Sequence, residues 1–213
     1  SRSAHRLCFA ALNDAARDVA ARVAVGSCIA CCQQVQVSMN ATQPTRPHTV
    51  VQALQSGTTQ NTLTLCVEDD QTDEVVHSLC TAAVGQAVCI RGPEPQLLMS
   101  SLCGTSTAIA LCSGTGVLPF VDMALAGVNM GAQWPPELQQ LRLLISVPTE
   151  RDILLKDFMH DAQSHGEGRV AVKFVVEDTN ERPSKGPTHK RFTQSLLQEV
   201  ASGVHDPLFL VCG

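Results

Sequence analysis

The sequence predicts a two-domain β plus α/β protein. A small antiparallel β-barrel spans residues 1–102, and an α/β domain with a parallel sheet, of nucleotide-binding type, spans 103–213. Three observations predict it. The first hundred residues carry short, often alternating apolar runs separated by turns. Beyond Cys103 the apolar runs become continuous and alternate with amphipathic segments, as in a parallel sheet with helices on both faces. A glycine turn, Gly114-Thr-Gly116, directly follows the first of these later runs, at the strand end where open α/β sheets bind ligands.

In the first domain, Leu7–Leu12 and Ser27–Cys32 read as short apolar strands. Val35–Met39 and Thr62–Val67 alternate with the period-two pattern of half-buried strands. Asp73–Cys80 reads as a single short helix, and Ala87–Ile90 as a strand stopped by Gly92-Pro93. Many short strands with one helix point to a barrel. In the second domain, strand Thr107–Cys112 leads through the glycine turn into an apolar helix from Phe120 to Ala126. Strand Leu141–Val147, helix Asp152–Asp161, strand Val170–Val176, helix Arg191–Val200 and strand Leu208–Val211 follow. Thr179–Pro187 reads as a polar loop and Trp134-Pro-Pro136 as a surface linker.

At 213 residues the chain suits two small domains. Hydrophobic residues at 44 % with charged residues at 16 % mark a soluble globular composition rather than a disordered or membrane one. A net charge of −5 argues against nucleic acid as the main partner. No apolar run approaches the roughly 18 residues a membrane helix needs, and Ser1–Arg6 lacks a signal peptide's apolar stretch. The expected location is the cytoplasm or another reducing compartment, with a membrane anchor or upstream domain before Ser1 left open.

Ten cysteines raise the question of metal or disulfides. The tightest group, Cys28, Cys31 and Cys32, has no second pair at zinc spacing, and the others stand singly among apolar residues. They read as reduced core thiols, with no metal site expected. His5, His77, His160, His165, His189 and His205 show no metal spacing, and Ser113 lacks the frame of a nucleophile elbow. The basic run from Lys185 to Arg191 reads as a solvated loop.

Glycines at Gly114 and Gly116 let the backbone approach a phosphate, and the following helix start offers unpaired N–H groups. Ser113-Gly-Thr-Gly-Val-Leu-Pro-Phe120 resembles the nicotinamide-binding turn of the ferredoxin reductase and cytochrome b5 reductase superfamily. Thr149-Glu-Arg-Asp-Ile-Leu-Leu155 and Leu210-Val-Cys-Gly213 resemble two further segments of that domain, in the same order. Thr45-Arg-Pro-His-Thr-Val50 resembles the family's flavin-contacting strand, and Val84–Pro93 the segment closing its barrel. The pattern is most like NADH-cytochrome b5 reductases and covers nearly the whole chain.

The resemblance implies a flavin-binding barrel, FAD as cofactor, and hydride transfer from a nicotinamide dinucleotide to flavin. Electrons would then pass to a cytochrome b5-like or other redox partner. It implies that Arg46 pairs with the flavin pyrophosphate, with Pro47 and His48 beside it, and that Thr49 hydrogen-bonds the flavin ring. Gly114, Thr115, Gly116 and Pro119 would hold the nicotinamide nucleotide, with Cys212 and Gly213 near its ring. Thr49 and Cys212 are thus the implied catalytic positions. Glu177 or Asp178 would bond an adenosine ribose and repel a 2′-phosphate, favouring NADH over NADPH.

The departures cluster at the flavin. His48 stands where the family has tyrosine, and the chain contains no tyrosine at all. Asp73-Glu-Val-Val76 replaces a Gly-x-x-Ser turn that caps the flavin phosphates, Cys66 and Glu68 replace lysine and tyrosine, and Pro95 replaces a glycine. These changes remove donors and add negative charge. They support a second reading, a flavin-free or catalytically weak relative acting as a binding or scaffold module.

Overall fold

The computed structural model describes residues 4–10, 14–26, 30–51, 62–129, 134–176 and 192–213. The chain forms two compact units. The first comprises Ser1–Ser101 with Leu118–Met123; the second comprises Leu102–Val117 with Ala124–Gly213.

The first unit holds β1 (Ala4–Ala10), α1 (Asp14–Gly26), β2 (Ala30–Ser38), β3 (Arg46–Thr49), β4 (Thr62–Glu68), α2 (Glu74–Thr81) and β5 (Cys89–Leu98). All its strand pairs are antiparallel. Among the described residues they form a two-stranded sheet, β1-β4, and a three-stranded one, β3-β2-β5. A bridge between Val50 and Leu65 links the two. Val35, Val37, Val50, Leu63, Leu65 and Val67 build the core, with Val75 and Leu79 of α2 packed into it.

Four details differ from the sequence expectation. α1 is a second helix, in an alanine-rich segment where Asp18 and Arg22 pair at 3.0 Å one turn apart. Of the expected strands Ser27–Cys32 and Val35–Met39, residues 27–29 lie outside the described residues, and the rest, as far as Ser38, fall in the single strand β2, whose pairing with β5 is irregular at several points. Gly92-Pro93 does not stop β5. Gln36 pairs with Arg91 and Gln34 with Glu94, so two residues oppose the one at Val35 and the strand bulges and continues. Gly92, at φ +125°, lies so close to β2 that a Cβ there would sit 3.2 Å from the Gln34 carbonyl oxygen. Finally, β4 is buried on both faces, not one: Thr64 and Cys66 are as hidden as Leu63 and Leu65. The Cys8 thiol and the Thr64 hydroxyl meet at 3.6 Å, which gives that buried hydroxyl a partner.

The second unit is a four-stranded, wholly parallel sheet in the order β8-β7-β6-β9. Its elements are β6 (Thr107–Ser113), the start of a 3₁₀ stretch (Gly114–Phe120), the later part of α3 (Val121–Asn129), β7 (Gln140–Val147), a 3₁₀ turn (Glu150–Asp152), α4 (Lys156–His165), β8 (Val170–Val176), α5 (Gln194–Ala201) and β9 (Leu208–Cys212). Leu118–Met123, the end of the 3₁₀ stretch and the first turn of α3, count with the first unit. The central strands β6 and β7 are almost entirely buried, as continuous apolar runs require. β8 and β9 are the edge strands among the described residues, and β9 leaves Phe209 and Val211 exposed.

α4 begins at Lys156 rather than Asp152. The Thr149 hydroxyl and N–H both donate to the Asp152 carboxylate, at 2.7 and 3.0 Å, and close a separate turn. Leu155 then takes the left-handed conformation, φ 54°, before the helix starts. α5 begins at Gln194 because the Thr193 hydroxyl caps it, accepting from the Leu196 N–H at 3.2 Å. Trp134 is no simple surface linker. Its indole N–H donates to the Leu138 carbonyl at 2.7 Å, and its ring packs on α3 where only glycine fits: a Cβ at Gly127 would lie 2.6 Å from it.

None of the seven cysteines whose side chains are described forms a disulfide. Cys66 and Cys112 are buried, as expected of core thiols, whereas Cys8 and Cys103 are exposed. No described helix is long and apolar enough to cross a membrane.

Candidate functional site

In the second unit, β6 runs straight into the Gly114–Phe120 helical stretch, so that helix start lies at the carboxyl end of the central strands. Two glycines make this possible. Gly114 takes φ +53°, a conformation that disfavours any side chain. Gly116 is buried against the end of β9: a Cβ there would stand 2.1 Å from the Cys212 carbonyl oxygen and 2.8 Å from Gly213 Cα. Gly213 in turn approaches Ser113 to within 3.0 Å of where its own Cβ would be. Ser113, Gly114, Gly116, Cys212 and Gly213, four of them implied site positions, thus converge on one strip of backbone. Thr115 is half-buried within the strip, and Pro119 lies further along the 3₁₀ stretch. Helix-start N–H groups and side-chain-free backbone are what a dinucleotide phosphate needs. The residues present fit a nicotinamide dinucleotide.

Cys212 pairs in register with Cys112 across β9 and β6. Burial pushes the Cys112 thiol up to about 12, with Cys212 beside it adding to the effect, and burial also raises Cys212. Both are neutral thiols at pH 7, able to pack or donate weakly but not to act as thiolate nucleophiles. Ser146 of β7 stands opposite Ser113 in register. It is completely buried, and its hydroxyl has no hydrogen-bond partner in the structure. The sequence reading did not single it out; a serine near the end of an apolar strand, before Val147-Pro148, was the available signal. Glu177 and Asp178 lie outside the described residues.

In the first unit, β3 carries Arg46, Pro47, His48 and Thr49. Pro47 is exposed, and Thr49 is buried. Arg46 and His48 are half-buried, and Arg46 is engaged by Asp73 rather than left open. The Arg46 Nε donates to Asp73 Oδ2, and its Nη1 donates to the Thr45 carbonyl at 3.2 Å. Asp73 is also the N-cap of α2: its Oδ1 accepts from the Val75 and Val76 N–H groups at 3.0 and 3.3 Å. The hydrogen bond from Arg46, with the two backbone donors, holds the Asp73 carboxyl below the usual carboxylate range despite some desolvation. Burial lowers the His48 pKa, Arg46 adds to that, and Asp73 opposes it; the imidazole is neutral at pH 7. Its buried Nε2 has no partner in the structure.

These residues do not fit a flavin diphosphate. The guanidinium and helix-start amides that would receive it are already engaged by one carboxylate. The sequence places Asp73 at the start of a short helix; its capping of that helix and its pairing across 27 residues to Arg46 are seen only in the structure.

Comparison with known proteins agrees with the geometry. Residues 110–213 match the family described as the oxidoreductase NAD-binding domain. NADH-cytochrome b5 reductase 1 of two Cryptococcus neoformans strains is 23 % identical over 142 residues, 66 % of this chain and 46 % of the relative. The chain therefore spans about half the length of the curated relatives it matches. Among solved structures, the CS-b5R domains of human Ncb5or in the NAD+ form superpose with a TM-score of 0.66 at 20 % identity, over 85 % of this chain and 52 % of that one. The cytochrome b5 reductase domain of Ulva prolifera nitrate reductase gives 0.61 at 19 %, over 85 % and 73 %. Ferredoxin-NADP+ reductase from Plasmodium falciparum with 2′P-AMP gives 0.62 at 10 %, over 85 % and 73 %. The chain has the ferredoxin reductase-like fold of the cytochrome b5 reductase domains it resembles, and its residues 110–213 match the oxidoreductase NAD-binding domain.

Proposed function

We propose that this chain is the nicotinamide-dinucleotide-binding module of an NAD(P)H reductase, with residues 103–213 as the dinucleotide domain. The observation that carries the reading is the approach of Gly116 to the Cys212 backbone, which joins the helix start to the end of β9 with no side chain at Gly114, Gly116 or Gly213. Gly114, Thr115 and Gly116 would hold the pyrophosphate by backbone N–H groups, and Cys212 and Gly213 would border the nicotinamide ring. When bound, the dinucleotide supplies a hydride donor. The chain's own part is to orient it against a neutral Cys212 thiol, which cannot form a competing covalent adduct as a thiolate would. Glu177 and Asp178 favour NADH over NADPH in this reading.

The fuller form, an FAD-dependent NADH reductase that passes electrons to a cytochrome b5-like or other haem partner, rests on the family resemblance of the sequence, and the residues of the first unit speak against it. The Arg46–Asp73 pair favours the second reading, a flavin-free module whose residues 1–102 keep the flavin-type fold without the cofactor. Calorimetric titration with NADH and NADPH tests the dinucleotide site. Saturable NADH binding, tighter than that of NADPH, is expected; no binding of either would sink the proposal. Anaerobic absorbance spectra of the chain reconstituted with FAD and then mixed with NADH separate the two forms. Flavin bands that bleach support the fuller one, and no flavin after desalting supports the second.

A further inference from the structure

We infer that Asp73 is a built-in anion that fills the phosphate cradle of the first unit, so that this unit does not hold a flavin by its diphosphate. This goes beyond the dinucleotide reading and does not depend on it. A diphosphate bound here would need a guanidinium and free amides at a helix start. The first unit has both, in Arg46 on β3 and in the Val75 and Val76 N–H groups of α2. One carboxylate takes all three, Oδ2 facing the guanidinium and Oδ1 facing the amides. The remaining field is unfavourable as well. Glu68, Asp69, Asp70, Asp73 and Glu74 place five carboxylates in seven residues, and Asp69 already engages the nearby His77 at 3.0 Å. A phosphate entering here would have to displace Asp73 and then lie among like charges.

The test uses the full chain and two probes, inorganic pyrophosphate and FAD. Asp73→Gly removes the carboxylate and bares the two amides, at a position where glycine is tolerated as an N-cap. Asp73→Asn keeps the cap and frees only Arg46, so it remains informative if the glycine variant does not fold by circular dichroism. The wild-type chain is expected to lose FAD on desalting. Pyrophosphate affinity should rise by about tenfold or more in Asp73→Gly, the weight of one charge-assisted hydrogen bond. A smaller rise is expected in Asp73→Asn. Adding Arg46→Ala to either variant should abolish the gain. Retention of stoichiometric FAD by the wild type, or folded variants that bind pyrophosphate no better than wild type, would overturn the inference. NADH titration of the same samples reports the second unit separately, so failure of one reading is distinguishable from failure of the other.

Discussion

Two junctions in this chain lead into a helix and present the same raw material to an anion: unpaired N–H groups and the positive end of a helix dipole. At Gly114 the approach from Thr107 to Val121 contains no acidic residue, and glycines strip the turn of side chains. At Asp73 the approach is crowded with carboxylates, and one of them caps the helix and holds the neighbouring arginine. The dipoles are alike; what differs is whether the chain supplies its own anion. A helix start is open to a phosphate only where the sequence leaves it unfilled, and the proposed nucleotide site in the second unit and the proposed loss of one in the first both rest on that difference.

The contrast can be tested first at the two cores beneath these junctions. Leu144→Ala in β7 and Leu65→Ala in β4 each remove a fully buried side chain and should each cost about 2–5 kcal/mol in chemical denaturation. If the units unfold separately, the two changes shift different transitions; one shared transition in both variants would join the units energetically. Next, Gly116→Ala forces a methyl onto the Cys212 carbonyl. It should cost roughly 1–3 kcal/mol and weaken NADH binding measured by titration, whereas unchanged NADH affinity would remove the turn from the site. At the other junction, Asp73→Ala should cost about 0.5–2 kcal/mol by loss of the cap, and Asp73→Asn far less. Equal losses for the two would mean that the pairing with Arg46, not the cap, dominates.

The smallest effect is in acid. Burial, aided by Arg46, places the His48 pKa below its ordinary 6.5 in the folded chain, and Arg46 with the α2 amides places that of Asp73 below 3.8. In both cases the unfolded chain takes up the proton first. Stability of the first unit should therefore begin to decline as pH falls below about 6.5, and decline again below about 3.8. Denaturation midpoints of the wild type and of His48→Gln across this range check it. The glutamine variant should lose the upper limb alone, and a wild type flat from pH 7 to 5 would remove His48 from the account.

The parallel unit was the more legible half. Continuous apolar runs place β6, β7 and β8 within a residue of where they lie; in β6 and β7 the reason is burial on both faces, which admits few polar residues, whereas β8 is only partly buried. Helix starts were less legible. At α4 a Thr149–Asp152 turn interrupts what reads as one amphipathic segment, and at α5 the cap at Thr193 delays the start. In the antiparallel unit, α1 went unread because its alanine-rich run has little apolar periodicity, and β2 and β5 extend through irregularities that look like stops. Of the candidate site, the glycine turn and the β9 ending were plain as motifs. Ser146 was not, since a buried serine in an apolar strand looks like any tolerated polar residue.

The sequence alone determined the order of the two units, the parallel character of the second, the glycines at its strand-to-helix turn and the excess of carboxylates before α2. These are local properties: periodicity, turn chemistry and charge read from neighbouring residues. Only the tertiary structure decided that Gly116 meets Cys212 and that Arg46 meets Asp73. Each is a contact between segments distant in the chain, set by sheet register and packing, and a pairing of that kind is specified by the whole core rather than by either segment.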